Sequence, residues 1–189
     1  MNEFESVEVT YPERHAPAED VDAILHLHKE WWEANVEVDI PRMQAVFPSP
    51  GDEYLMYNAN RHPYFGMREK THLWEWLKPL IGRMEGLEVR LMRMEVCGDM
   101  AWIGAEIHLK PIQADGGEWT LDSAPGAYYW NTEVYKRDDG GGRPVWKMWH
   151  FHSSETAARD EVRHGFDDTA EGRGFGWVPW EPLPVRDEG

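Results

Sequence analysis

A change of period partway along the chain restricts its fold more than any other feature. From residue 19 to 38 the apolar positions Val21, Ile24, Leu25, Leu27, Trp31, Trp32 and Val36 recur near helical spacing, and acidic residues in the first turn suit the helix dipole. From residue 87 onward the pattern turns to alternation, the period of a strand. Helices first and a meander after them predict an α+β domain, with three N-terminal helices packed on one face of a curved antiparallel sheet.

The remaining elements follow from local signals. Asp39-Ile40-Pro41 predicts an N-cap and a short second helix over 41–47. A breaker at 48–51 precedes a short strand ending at Tyr57, and 58–63 reads as a polar bend. A third helix is predicted over 68–81, burying Leu73, Trp74, Trp76, Leu77 and Leu80, with Pro79 distorting its last turn. Strands are predicted over 87–96, 100–112 and 127–136, and a last one opens at Trp146. Residues 1–18 read as an extended arm, 19–155 as the domain, and 156–189 as a tail with a short helix over 156–164.

Composition narrows the function classes. At 189 residues the chain fits one domain, and no internal repeat, bilayer-length apolar run or leader is evident. A net charge of −16 argues against nucleic acid as a partner, because that affinity rests on cations neutralising phosphates. The sole cysteine, Cys97, excludes an internal disulfide and argues against a thiolate zinc site within one chain, so a cytoplasmic protein is the simplest reading. The 11 Trp and 9 Met either fill a broad core or line an aromatic cavity.

The last strand carries the chemistry. Strict alternation from Trp146 puts Trp146, Met148, His150 and His152 on one face and Lys147, Trp149 and Phe151 on the other. Two imidazoles beside apolar bulk suit general acid–base work on an aromatic molecule, the plainer reading being core histidines bonded to backbone carbonyls. A paired-histidine metal site completed by Glu106 or His108 is the rival; no compact His/Glu helix motif supports it, and no metal is expected. Glu106 and His108 share a face with Trp102, where desolvation makes a carboxylate a usable base; an exposed strand-edge pair is the alternative. His28 and Trp32 on the first helix are candidates to clamp an aromatic ring, and Arg61 to bind a phenolate or carboxylate.

Trp32-Glu33-Ala34 at the end of the first helix, Asp39, Phe47, Gly66, and Arg137-Asp138-Asp139-Gly140 followed by Trp146 to Ser154 occur in an order that resembles the nuclear transport factor 2-like (NTF2-like) superfamily, on its SnoaL-like branch. The resemblance spans residues 20–154 and implies a cone-shaped fold enclosing a pocket between helices and sheet. The superfamily holds polyketide cyclases, ketosteroid isomerase, scytalone dehydratase and limonene epoxide hydrolase. Asn58, Ala59 and Asn60 stand where ketosteroid isomerases carry their aspartate base, which disfavours an isomerase of that kind. Glu106 and His108 lack the arginine of the epoxide hydrolase set. The inventory His150, His152, Tyr129, Asn131, His62 and Tyr64 is closer in style to scytalone dehydratase, without a position-by-position match.

The resemblance therefore implies a cofactor-free lyase or dehydratase acting on a phenolic compound. One such class is lignin-derived dimers, which some bacterial members cleave with loss of water and formaldehyde. His150, His152, Glu106, His108, Tyr129 and Asn131 are the catalytic candidates; His28, Trp32, Asn60, Arg61, His62, Tyr64, Trp102 and Trp146 are those for binding. A cyclase or isomerase, an epoxide hydrolase, and a non-catalytic ligand-binding or assembly module are the alternatives. A small aromatic substrate is the expected partner, with neither nucleic acid nor membrane. A homodimer or homotrimer is expected to cover Lys147, Trp149 and Phe151.

Overall fold

The computed structural model describes residues 3–6, 16–51, 53–59, 62–116 and 128–155. Helix α1 (Ala18–Glu37) buries Ile24, His28, Trp31, Trp32 and Ala34 along one stripe. It stops at Val38, whose φ of 50° is left-handed, and the Val38 N–H returns to the carbonyls of Ala34 and Asn35. Asp39 then caps α2 (Ile40–Ala45) by accepting the Arg42 N–H at 3.1 Å, with Pro41 in the first turn where its missing donor costs nothing.

Helix α3 (Gly66–Leu77) starts and ends earlier than the predicted 68–81. Gly66 supplies a φ of 78° at the sharp entry, and the helix is finished before Pro79, which has no N–H for the ladder. The expected buried side is corrected too. Trp76 and Leu80 are 56% and 40% exposed, and the buried stripe is Gly66, Lys70 and Trp74 at a spacing of four.

Seven strands form one sheet: β1 (Glu3–Ser6), β2 (Leu55–Tyr57), β3 (Pro63–Phe65), β4 (Ile81–Cys97), β5 (Met100–Gln113), β6 (Tyr128–Arg137) and β7 (Trp146–Glu155), in the order β1-β4-β5-β6-β7-β2-β3. The meander β4-β5-β6-β7 is antiparallel, but β1 runs parallel to β4 and β2 parallel to β7. The sheet is therefore mixed rather than purely antiparallel. Hairpin neighbours must reverse direction, whereas β2 lies far from β7 in the chain and is under no such constraint. Of the bend expected over 58–63, Asn58 and Ala59 follow β2, residues 60 and 61 lie outside the described residues, and Pro63 opens β3, whose short pairing with β2 was not anticipated. The helix expected over 156–164 and the tail lie outside the described residues.

The helices cover one face of the sheet. Ile103, Ala105 and Ile107 of β5, Asn131, Glu133 and Tyr135 of β6, and Phe151 and Ser153 of β7 are all buried, and Phe151 meets Trp31 of α1 at a ring separation of 5.4 Å. Trp31 also contacts Trp32, Phe47 and Trp74, and Phe47 contacts Tyr54 at 4.4 Å, so the helices and β2 close over a continuous aromatic cluster.

Strand β7 does not alternate strictly. Tyr135 pairs with Met148, but its neighbour Val134 pairs with His150, which leaves Trp149 as an extra residue in a β-bulge. The bulge reverses the phase of everything after it. Trp146 and Met148 keep the inner face, whereas His150 and His152 turn outward with Val134 and Thr132, and Phe151 turns inward opposite Glu133. The expectation that Trp146, Met148, His150 and His152 share a face is thus corrected. Trp149 and Phe151 are 9% and 2% exposed, so the bare aromatic face invoked for oligomerisation is not there.

Candidate acid–base site

The inner positions of β6 run from one end of the cone to the other as Tyr129, Asn131, Glu133 and Tyr135. Glu133 has no exposed surface. Its Oε2 accepts from His28 Nδ1 at 2.7 Å and from the Tyr135 hydroxyl at 2.5 Å, and its Oε1 accepts from Trp32 Nε1 at 3.0 Å. Each donor is supplied by fold geometry. His28 and Trp32 are one turn apart on α1, and Tyr135 is the next inward residue of the same strand. Burial, with the nearby Glu133 charge, pushes the hydroxyls of both Tyr135 and Tyr54 well above the ordinary tyrosine range. Tyr54 is therefore a neighbour of the same carboxylate.

Three buried polar atoms here have no hydrogen-bond partner among the described residues: His28 Nε2, Trp31 Nε1 and the Tyr54 hydroxyl. Such atoms are uncommon in folded proteins, and each costs about 1–3 kcal/mol when left unpaired. With Nδ1 donating to Glu133, Nε2 is the imidazole nitrogen free to exchange a proton, and Glu133 stands ready to stabilise the imidazolium.

A cleft of about 530 Å³ opens at one end of the cone, lined by Tyr57, Asn58, His62, Pro63, His152, Ser153 and Ser154. Ser153 faces the interior and is the cross-strand partner of Asn131, whose Oδ1 is buried without a partner among the described residues. Glu133 is the next inward residue beyond Asn131. Tyr57, His152 and Ser154 stand on the outer side, so among the β7 residues of the cleft Ser153 is the one that faces inward, towards Asn131.

Of the candidates from sequence, the structure gathers His28 and Trp32 at the carboxylate, with Asn131 and Tyr129 on the same strand face. His62 and His152 meet at the cleft, and Tyr64 is buried behind it, its ring 4.8 Å from that of His62. His150 lies on the outer face against Tyr57, and burial, aided by His152 and opposed by the Leu55 backbone, holds its imidazole below the ordinary range. Glu106 and His108 also occupy outer positions of β5. Glu106 is buried there, with Arg90 and Trp130 as register partners, and His108 Nδ1 is 3.9 Å from Glu88. Trp102 donates to Glu95 at 3.2 Å. Trp146 donates to Asp20 at the opposite end of the cone, at 2.9 Å, which removes it from the same site. Asn60 and Arg61 lie outside the described residues.

Glu133, Tyr135, Tyr54 and Lys70 were not singled out as functional from sequence. The available signal for Glu133 was its shared parity with Tyr129, Asn131 and Tyr135; for Lys70, its place four residues before Trp74. Among the described residues no cluster of three or more His, Cys, Asp or Glu has the arrangement a metal requires, and no helix is long and apolar enough to cross a membrane.

Helices packed on one face of a mixed, curved, unclosed sheet, with an inner polar cluster, define an NTF2-like α+β cone. The chain belongs to the SnoaL-like domain family, whose model matches residues 24–159. Solved structures agree on the fold. A ketosteroid isomerase-like protein from Erwinia carotovora atroseptica is 16% identical, with 74% of this chain and 98% of that one covered and a TM-score of 0.59. An NTF2-like protein of unknown function from Pseudomonas putida KT2440 is 21% identical over 77% of this chain and 93% of that one, at a TM-score of 0.56. A protein with a cystatin-like fold from Caulobacter vibrioides is 17% identical over 74% and 91%, at 0.53. No curated protein sequence matches the chain. This is a fold on which ketosteroid isomerase-type, dehydratase and ligand-binding functions are built.

Proposed function

We propose that the chain is a cofactor-independent lyase or dehydratase for a phenolic aromatic compound, with His28 as its proton-transfer group. The observation that carries this reading is His28, whose Nδ1 is held by Glu133 while its Nε2 is buried without a partner among the described residues, in the same core as the unpartnered Trp31 Nε1 and Tyr54 hydroxyl. A substrate bearing hydroxyl or phenolic oxygens supplies the missing partners. Trp31 and Tyr54 donate to a substrate oxygen, His28 Nε2 takes a proton and returns it to the departing hydroxyl, and Glu133 steadies the imidazolium between the two steps. The substrate enters past Ser153 and Asn131, and the rings of Trp31, Trp32 and Phe151, which pack against one another, part around its ring system. Within this class a lignin-derived dimer, losing water and formaldehyde, carries the several oxygens these donors need.

The test is product mass spectrometry after incubation with phenolic dimers, polyketide-like phenols and epoxides, without added cofactor. Loss of water or formaldehyde is expected, with His28→Gln slowing turnover about 100-fold or more while keeping its circular dichroism. His150→Gln is expected to stay close to the wild-type rate. Binding with no change of mass returns the chain to isomerase, cyclase or ligand-carrier. A large effect at His150 with none at His28 moves the chemistry to the outer face and removes this reading.

A further inference from the structure

Lys70 is the residue the proton-transfer site leaves unused. It lies on the buried stripe of α3 between Gly66 and Trp74 and is only 3% exposed. Its Nζ sits 5.0 Å from the centroid of the Tyr64 ring and 5.3 Å from that of Trp74, and among the described residues no carboxylate pairs with it. Ring faces at this range attract an ammonium ion, but they do not replace its hydration shell. Burial accordingly pushes the Lys70 ammonium down to about 7 from its ordinary 10.5.

The surroundings give this amine a reachable neighbour. The Tyr64 ring that contacts Lys70 on one side meets the His62 ring edge-on at 4.8 Å, and His62 lines the cleft. The amine is one aromatic ring behind the cleft wall. Lys136, by contrast, lies over the single ring of Trp149. An amine that burial holds at about 7, walled by aromatic rings and without a paired carboxylate among the described residues, has the properties required of a nucleophile towards carbonyl carbon.

We propose that Lys70 is a carbonyl-reactive amine that forms an imine with the aldehyde or ketone group of an aromatic ligand entering from the cleft. The Nζ lone pair attacks the carbonyl carbon and the C=O π pair moves to oxygen, which takes up a proton to give a carbinolamine. In reaching the carbinolamine the nitrogen gives up one of its protons, balancing the one taken up by oxygen; the second nitrogen proton is lost as the hydroxyl, protonated in exchange, departs as water, and a C=N bond remains. No oxidant, reductant or metal enters the balance. This reactivity is separate from proton transfer at His28, because imine formation needs no turnover.

The test uses the intact wild-type chain with benzaldehyde and cyanoborohydride across about pH 6–9, read by intact mass and peptide mapping. One reduced benzyl adduct per chain is expected, on the peptide holding Lys70, forming about tenfold faster than on any other lysine and with a pH midpoint near 7. Lys70→Arg loses that adduct, whereas His28→Gln keeps it, so failure at one residue does not count against the other. Labelling spread evenly over the exposed lysines overturns the proposal. So does an unmodified Lys70 in a chain that binds benzoate reversibly, since the amine is then an anion site.

Discussion

At the scale of single residues, Glu133 decides what the interior can tolerate. A carboxylate with no exposure survives only because His28, Trp32 and Tyr135 donate to it. Glu133→Gln replaces one accepting oxygen with an amide that itself donates, so at least one of the three donors loses its partner. A loss of about 2–4 kcal/mol is expected by chemical denaturation. Tyr135→Phe removes one donor to a buried carboxylate and is expected to cost about 1.5–3 kcal/mol. If both variants unfold at the wild-type midpoint, the cluster contributes nothing to the fold. His28 and Trp32 were legible as candidates in the sequence because their helical spacing puts them on one side of α1, with core packing as the other reading. Glu133 was not, because a glutamate in an alternating strand reads as its solvent side until the inward parity of Asn131 and Tyr135 is known.

At the scale of elements, the bulge in β7 separates what alternation could reveal from what it could not. Residues 146–155 were recognisable as a strand from their aromatic content, and the pairing of β6 with β7 follows from their short connection. The extra residue was invisible, since one added position inverts every later side chain without changing the composition. Packing holds Trp149 in that place. Its Nε1 donates to the Asp138 carbonyl at 2.9 Å, and Lys136 Nζ lies 4.3 Å from its ring centroid. Trp149→Phe is expected to cost about 1 kcal/mol for the lost hydrogen bond, and Trp149→Ala about 3–5 kcal/mol for the lost packing. His150→Gln, on the outer face, is expected within about 0.5 kcal/mol of wild type. A chain with unbroken alternation reverses that order, with the histidine costly and the tryptophan cheap, so comparing the three unfolding midpoints tests the bulge directly.

At the scale of the whole molecule, ionisation of buried groups shapes stability across pH from both sides. At the end of the cone opposite the cleft, Asp20 accepts from Trp146 at 2.9 Å and from Arg137 at 2.5 Å, and Arg137 also reaches Asp99, tying α1 to β6, β7 and the turn between β4 and β5. Burial opposes ionisation of Asp20, but the Arg137 and Trp146 hydrogen bonds prevail and hold its carboxyl below 3.8. That contribution is complete above the unfolded value of 3.8 and is lost as pH falls through the lower folded value. Lys70 acts in the opposite sense. Between its folded value of about 7 and its unfolded value of 10.5 the unfolded chain binds the extra proton, so stability rises with pH across that window. Above 10.0 the unfolded chain loses tyrosine protons that buried Tyr54 and Tyr135 retain, and stability falls again. Half-buried Lys147 is also lowered by burial and adds to the rise, so the Lys70 share has to be read as a difference between variants. Lys70→Met is expected to stabilise the fold near pH 7 by about 3–5 kcal/mol and to lose most of that advantage by about pH 10. Denaturant midpoints measured for both chains across this range settle it. Parallel curves mean that Lys70 is charged and paired throughout, whereas converging curves mean that the fold carries an unpaired amine at a cost in stability that its chemistry has to justify.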